Sequence, residues 1–374
     1  MSWLNSVWQA ESAENPLLVD SIFPVWYGKN VQLEQTGVSI VMKNHRLAWM
    51  DGMRGLAILW IVFVHFVTIF TPNETADFPG LLGLVLFGIS GKLAVAGCSV
   101  IMGYFASKPV SADKKIWKYS LRRYLSFVVH ILLIEGAYLL LTRIPALNGY
   151  ALRCVPELRQ PLSQLLPVYL ADAFLFKAQL IPTFWCVASF VLGSILAFAL
   201  AKLSGNLPLW LRSLICAGVI AALIWLDCTW LAIALMGWAL RLLLEWEIPF
   251  RRHALFGLAL LAFVPWMIRR GECPQTYLLD GAAAVLVLYV FAQWNWVQKL
   301  LSFRPLSGLG VITLELFMLH VPLFEVLRHL INDLCDLALT VPQYGLMFAA
   351  VMAVVIPAAL LWKQLMKRIL PTRS

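Results

Sequence analysis

Charged side chains are scarce in this chain: Asp, Glu, Lys and Arg together make up 13% of it. A soluble protein of this size needs roughly a quarter of its residues charged to cover its surface. Much of this surface therefore faces something other than water, and no soluble domain is visible beyond the first 45 or so residues. The cysteines form no C-x-x-C pair and have no histidine at metal-ligand spacing, so no metal site is expected. The first 45 residues lack an apolar core segment. With Glu11, Glu14, Asp20 and Glu34 among mixed polar and aromatic residues, they do not read as a signal peptide. No internal repeat is evident.

What the chain does have is long apolar runs. Hydrophobic residues fill 61% of the 374 positions. Runs of about 15–26 residues are long enough to cross roughly 30 Å of hydrocarbon at about 1.5 Å per residue. They lie near 47–70, 83–105, 124–142, 183–202, 208–226, 228–244, 254–268, 278–297, 307–330 and 345–370. The expectation is an all-α integral membrane protein of about ten transmembrane helices over 46–370, between an N-terminal cytoplasmic segment at 1–45 and a tail at 371–374. The fifth and sixth runs meet at Leu226-Asp227-Cys228, which predicts a tight hairpin.

Basic residues fall in alternate loops. Lys43 and Arg46 precede the first span, and Lys108, Lys114, Lys115, Lys118, Arg122 and Arg123 fill the next loop of that side. Lys202 with Arg212, Arg251 with Arg252, Lys299 with Arg304, and Lys363 to Arg373 follow. The opposite loops are shorter or mixed, as in Glu74 with Asp77 and Asp333 with Asp336. Arg269 and Arg270 break the pattern without explanation. The positive-inside rule makes the basic side cytoplasmic, with both termini there and the protein multi-pass in an inner or plasma membrane. That rule also accounts for the net charge of +9 without nucleic acid. The long loop at 143–182, rich in proline and carrying the apolar stretch Leu165 to Leu175, suits a lip on the outer face. Cys98, Cys186 and Cys216 read as buried small side chains. Cys154, Cys273 and Cys335 fall in outer loops, where a disulfide of unassigned pairing is open.

Ionisable groups inside spans are costly and mark the first place to look for function. Arg54 and His65 lie eleven residues apart, three turns plus about 20° of helix, so they point the same way about 16 Å apart. Asp51, Arg54, Ile58, Val62 and His65 share one stripe, which suits a cavity wall. There an arginine can grip a phosphate and a histidine can move a proton. An Asp51–Arg54 pair at the membrane edge, with His65 bonded to a neighbouring helix, fits the spacing equally well. Lys92 can snorkel to an interface or enter the cavity, and the small residues Gly91, Ala94, Ala96, Gly97 and Ser99 mark close helix packing. The third span carries His130 and Glu135, five apart and so on different faces. Arg122 and Arg123 at its start serve either a phosphate or orientation. The ninth span holds Glu315 and His320, and Pro322 favours a kink beside that histidine.

The run Leu47-Ala48-Trp49-Met50-Asp51-Gly52-Met53-Arg54-Gly55-Leu56-Ala57, followed by His65, resembles the first span of the membrane-bound acyltransferase-3 family. The late segment Leu309 to Pro322, ending Leu319, His320, Val321 and Pro322, is similar to that family's late span, and Gly91 to Tyr104 to its second. Members are ten-helix membrane enzymes that move acyl groups, often acetyl, from a cytoplasmic acyl-CoA to hydroxyls of carbohydrates or lipids. The resemblance implies His65 as catalytic base, with Arg54 and Asp51 at the catalytic position. It implies Arg122, Arg123 and Lys92 toward the donor, and His320, Trp185 and Glu315 toward the acceptor. Acyl-CoA is then a co-substrate, no bound cofactor or metal is implied, and the partners are donor, acceptor and membrane lipids. Three places depart from the family pattern. Phe190 stands where an acidic residue often follows the tryptophan at Trp185. Ser126 stands where a second arginine is common, and Val128 and Val129 fall where a proline is common. A transporter and an inactive relative are the other readings of these residues.

Overall fold

The computed structural model describes residues 47–70, 91–108, 115–145, 147, 151, 155–246, 274–331 and 340–370. The expected N-terminal segment with Lys43 and Arg46, the span at 254–268, the tail at 371–374, and Glu74, Asp77, Arg251, Arg252, Arg269, Arg270, Asp333, Asp336, Cys154, Cys273 and Cys335 lie outside the described residues.

The described residues form twelve α-helices. In chain order they are α1 Ala48–Phe70, α2 Gly91–Ala106, α3 Ile116–Leu141, α4 Leu162–Leu175, α5 Val187–Leu203 and α6 Leu209–Trp225. Then come α7 Thr229–Glu245, α8 Pro274–Gln293, α9 Asn295–Leu301, α10 Arg304–Val311, α11 Thr313–Leu330 and α12 Val341–Ile369. Four segments are long and apolar enough to cross a bilayer: α1, α3, the stretch Pro182–Leu203 that ends in α5, and Pro342–Ile369 of α12. Counting the bent pairs α8–α9 and α10–α11 as one span each raises this to six among the described residues, which leave out the expected span at 254–268 and the start of that at 83–105. Large apolar side chains point outward, with Trp225 at 85% exposure and Leu203 and Leu346 at 73%. In water each would forfeit about 25 cal/mol per Å². Against lipid they lose nothing, so the fold is that of a helical membrane protein.

The hairpin between α6 and α7 forms as expected: Asp227 takes φ 56° and the Cys228 N–H donates to the Leu223 carbonyl at 2.8 Å. Two other expectations change. The eighth span is broken at Trp294, where α8 and α9 meet at 107°. Gln298 Nε2 stabilises the break by donating to the Phe291 and Ala292 carbonyls at the end of α8. The ninth bends by 75° at Ile312, while α11 runs unbroken through Pro322. Proline removes one donor from that helix, and neighbouring packing tolerates the loss. The bend falls instead after the glycine-rich α10, where the Thr313 hydroxyl donates to the Gly310 carbonyl at 2.9 Å and so competes with the helix ladder.

This broken pair exists to meet α1. A Cβ on Gly310 would stand 1.8 Å from the Asp51 carbonyl oxygen, and one on Gly52 the same distance from the Leu301 carbonyl oxygen. The backbones of α1, α9 and α10 therefore touch directly, which only glycine allows. A second such contact joins α2 to α7 through Gly103 and Gly237. Gly97, expected among the close-packing residues, has open space where a Cβ would go.

The lip expected on the outer face is corrected. α4 runs antiparallel along α3: Arg143 donates to the Gln160 carbonyl, Tyr169 to Leu132 and Tyr124 to Phe174. These bonds walk down most of α3, so α4 lies at the depth of a span. The irregular turn below it, with Phe176 and Ala178 at positive φ, is held by the buried Asp172, whose carboxylate accepts from the Gln179 and Leu180 N–H groups at 2.7 Å. Non-helical backbone survives at such depth only where protein supplies its partners.

Candidate active site

The first turns of α1 carry the site's charge. Asp51, 3% exposed, pairs with Arg54 across one turn of helix, which is the local pair the spacing allowed. The Arg54 guanidinium also lies 5.8 Å from the centre of the Phe105 ring and forms part of the wall of a cavity. Apart from Thr313 the rest of that wall is apolar or backbone: Ile58 and Ile61 of α1, Cys98 and Met102 of α2, Phe127 of α3, and Leu314 and Phe317 of α11 are among its residues. Phe190 of α5 lines it too, so the place where the family pattern often has an acid is here a hydrophobic wall. An apolar hollow with one guanidinium suits a ligand with an anionic end and an apolar remainder.

His65 stands one turn past Ile61, beyond the lining. It is half-buried, and its Nδ1 lies 2.9 Å from His320 Nε2. His320, 0% exposed, sits one turn past Phe317, so the two histidines meet one turn beyond the lining residues Ile61 and Phe317. The other ring nitrogen of His320 lies 3.0 Å from the Leu316 carbonyl and 2.9 Å from that of Phe317. The sequence put Arg54 and His65 in one hollow. The structure gives the hollow to Arg54 and sets His65 outside its lining, facing a histidine 255 positions away in the chain.

Of the expected donor residues, Arg123 reaches the cavity wall. Its guanidinium donates to Ser194 Oγ at 3.2 Å and to Met102 Sδ at 3.4 Å, and lies 4.9 Å from the Phe127 ring centre. Arg122, on the adjacent face, is exposed. Lys92 is elsewhere: its Nζ bonds Tyr277 Oη at 2.9 Å. Tyr277 packs on Trp230, and Trp230 on Trp185, which is 39% exposed. Lys92 and Trp185, expected on different sides of the reaction, thus belong to one aromatic row away from Arg54. Glu315 is 2% exposed in the first turn of α11, beside the lining residue Leu314. It feels the positive charges of Lys363, Arg54 and Lys367.

One residue the sequence left among the orientation charges belongs here. Lys108 lies just past α2, its Nζ 4.8 Å from the centre of the same Phe105 ring that faces Arg54. Burial, then the like charge of Arg241, lower the Lys108 ammonium to about 8, against the opposing pull of Asp51. Nothing in the local sequence separates Lys108 from its neighbours, because the contact is tertiary.

Helices sized for a bilayer define a polytopic membrane protein, and inside it lie a buried guanidinium in an apolar hollow and a histidine pair. The model of the acyltransferase-3 family, described as an acyltransferase domain, matches residues 47–362. The chain belongs to that family and is a membrane acyltransferase. No curated protein and no solved structure matches it.

Proposed function

We propose that this enzyme moves an acyl group, acetyl in the first instance, from a cytoplasmic acyl-CoA to a hydroxyl of a carbohydrate or lipid acceptor. The observation that carries the proposal is the order along α1: a guanidinium in the cavity wall, an apolar stretch at Ile58 and Ile61, then an imidazole. An acyl-CoA has a like order, with phosphates, a long slender arm and a reacting thioester. Arg54, with Arg123 and Lys108 near by, supplies cations for the phosphates. His65 takes the proton of the acceptor hydroxyl as its oxygen bonds the thioester carbonyl carbon. The carbon–sulfur bond then breaks, and the proton passes to the leaving thiolate. The row Trp185, Trp230 and Tyr277, ending on Lys92, offers ring faces and one cation to an acceptor. The gathering of Lys108, Arg123, Arg212 and Arg241 about the Arg54 end supports a cytoplasmic donor.

The test uses membranes containing the full chain and acetyl-CoA labelled in the acetyl group. His65→Ala is expected to lower the turnover number by about 10²–10⁴-fold, and Arg54→Ala to raise KM for acetyl-CoA, with both proteins inserted at wild-type levels. Unchanged transfer by His65→Ala removes the mechanism.

A further inference from the structure

We infer that His320 is a positioning residue that holds the proton of His65 on Nδ1 and so leaves His65 Nε2 as the basic nitrogen. The inference rests on the reading of His65 as the base. The proton positions follow from the partners. His320 Nδ1 has two backbone carbonyls within 3.0 Å, and a carbonyl only accepts, so this nitrogen carries the hydrogen. A neutral imidazole has one N–H, which makes His320 Nε2 an acceptor. The atom 2.9 Å from it, His65 Nδ1, must then be the donor.

The lone pair of His65 is then left on Nε2, on the other side of the ring. His320 does more than fix the tautomer. Its own ring is locked by the carbonyls of Leu316 and Phe317 and flanked edge-on by Phe324 at 5.8 Å, so it presents Nε2 in a single direction. When His65 takes the acceptor proton, the imidazolium finds an aligned acceptor already in place. A buried aspartate plays this part in hydrolase triads. Here a neutral imidazole takes it, with no second charge to desolvate.

Two measurements test this. The first is nitrogen-15 NMR of histidine-labelled full-length protein in liposomes, with the ring signals assigned through His65→Ala and His320→Leu. The expected result is a protonated Nδ1 and a bare Nε2 on His65, with a coupling across the hydrogen bond to His320 Nε2. A proton on His65 Nε2, or no coupling, overturns the inference whatever the activity. The second compares turnover of labelled acetyl-CoA in the same membranes. His320→Leu should lose about 10–100-fold in kcat, a part of what a general base supplies, with KM for acetyl-CoA unchanged. His320→Gln, whose amide oxygen replaces the lost acceptor, should recover most of that loss. If His65→Ala is inactive while His320→Leu keeps wild-type kcat, the positioning role fails and the base survives. If His65→Ala stays active, the base itself fails.

Discussion

At the scale of single residues, Arg54 and His65 were readable because both sit on one helix, where spacing alone fixes which side chains align. Asp51 was readable as a helical neighbour of Arg54. His320 was visible as a buried ionisable residue, but its partner was not, since nothing in the sequence measures a contact between α1 and α11. Lys108 was invisible for the same reason, and it carries a prediction. Its ammonium is held at about 8, so it is charged below that pH and neutral above. A phosphate-bearing donor gains from the charged form. KM for acetyl-CoA should therefore rise as pH increases from about 7 to about 9, within the range where a lowered lysine titrates. In Lys108→Gln the value should be raised already at neutral pH and should lack this limb. The same rise in Lys108→Gln would assign the effect to another group.

At the scale of elements, hydropathy finds apolar length but not its path. It located α1, the span ending in α5, and α12 well, and it located the tight turn at Asp227. It read the first bent pair as one straight span and missed where the second bends, because a bend of 107° or 75° costs no hydrophobicity. It also drew attention to Pro322, where the chain stays helical, and away from Ile312, where it does not. The helix α4 shows the limit again: an apolar stretch flanked by prolines fits a surface lip and an intramembrane helix alike, and its bonds to α3 decide. The bend at Ile312 has a purpose that mutation can check. It brings Gly310 against the Asp51 carbonyl, one turn from Arg54. Gly310→Ala places a methyl group 1.8 Å from that oxygen, and α1 has to move. The expected cost is about 1–3 kcal/mol of stability, as for other overpacked sites, seen as a lower unfolding temperature in detergent together with a higher KM for acetyl-CoA. An unchanged unfolding temperature would mean that α10 yields freely and does not position Arg54.

At the scale of the whole molecule, composition alone gave the solvent: too few charges for water and too much apolar length for a core of this size. The charge pattern was equally legible, and the structure gathers Lys108, Arg212, Arg241 and Glu245 at the end where Arg54 lies. What composition did not give is which crossings are broken, because a bend costs an apolar run none of its hydrophobicity. The proposed transfer takes an acyl group from a CoA thioester, whose phosphates lie at Arg54, to a carbohydrate or lipid hydroxyl through His65. Mass spectrometry of envelope glycans and lipids tests this most directly, comparing cells with the gene, without it, and with only the His65→Ala form. The account predicts a species heavier by one acyl unit in the first and its absence from the other two. The same heavier species in cells carrying only His65→Ala, or no difference between cells with and without the gene, would contradict it.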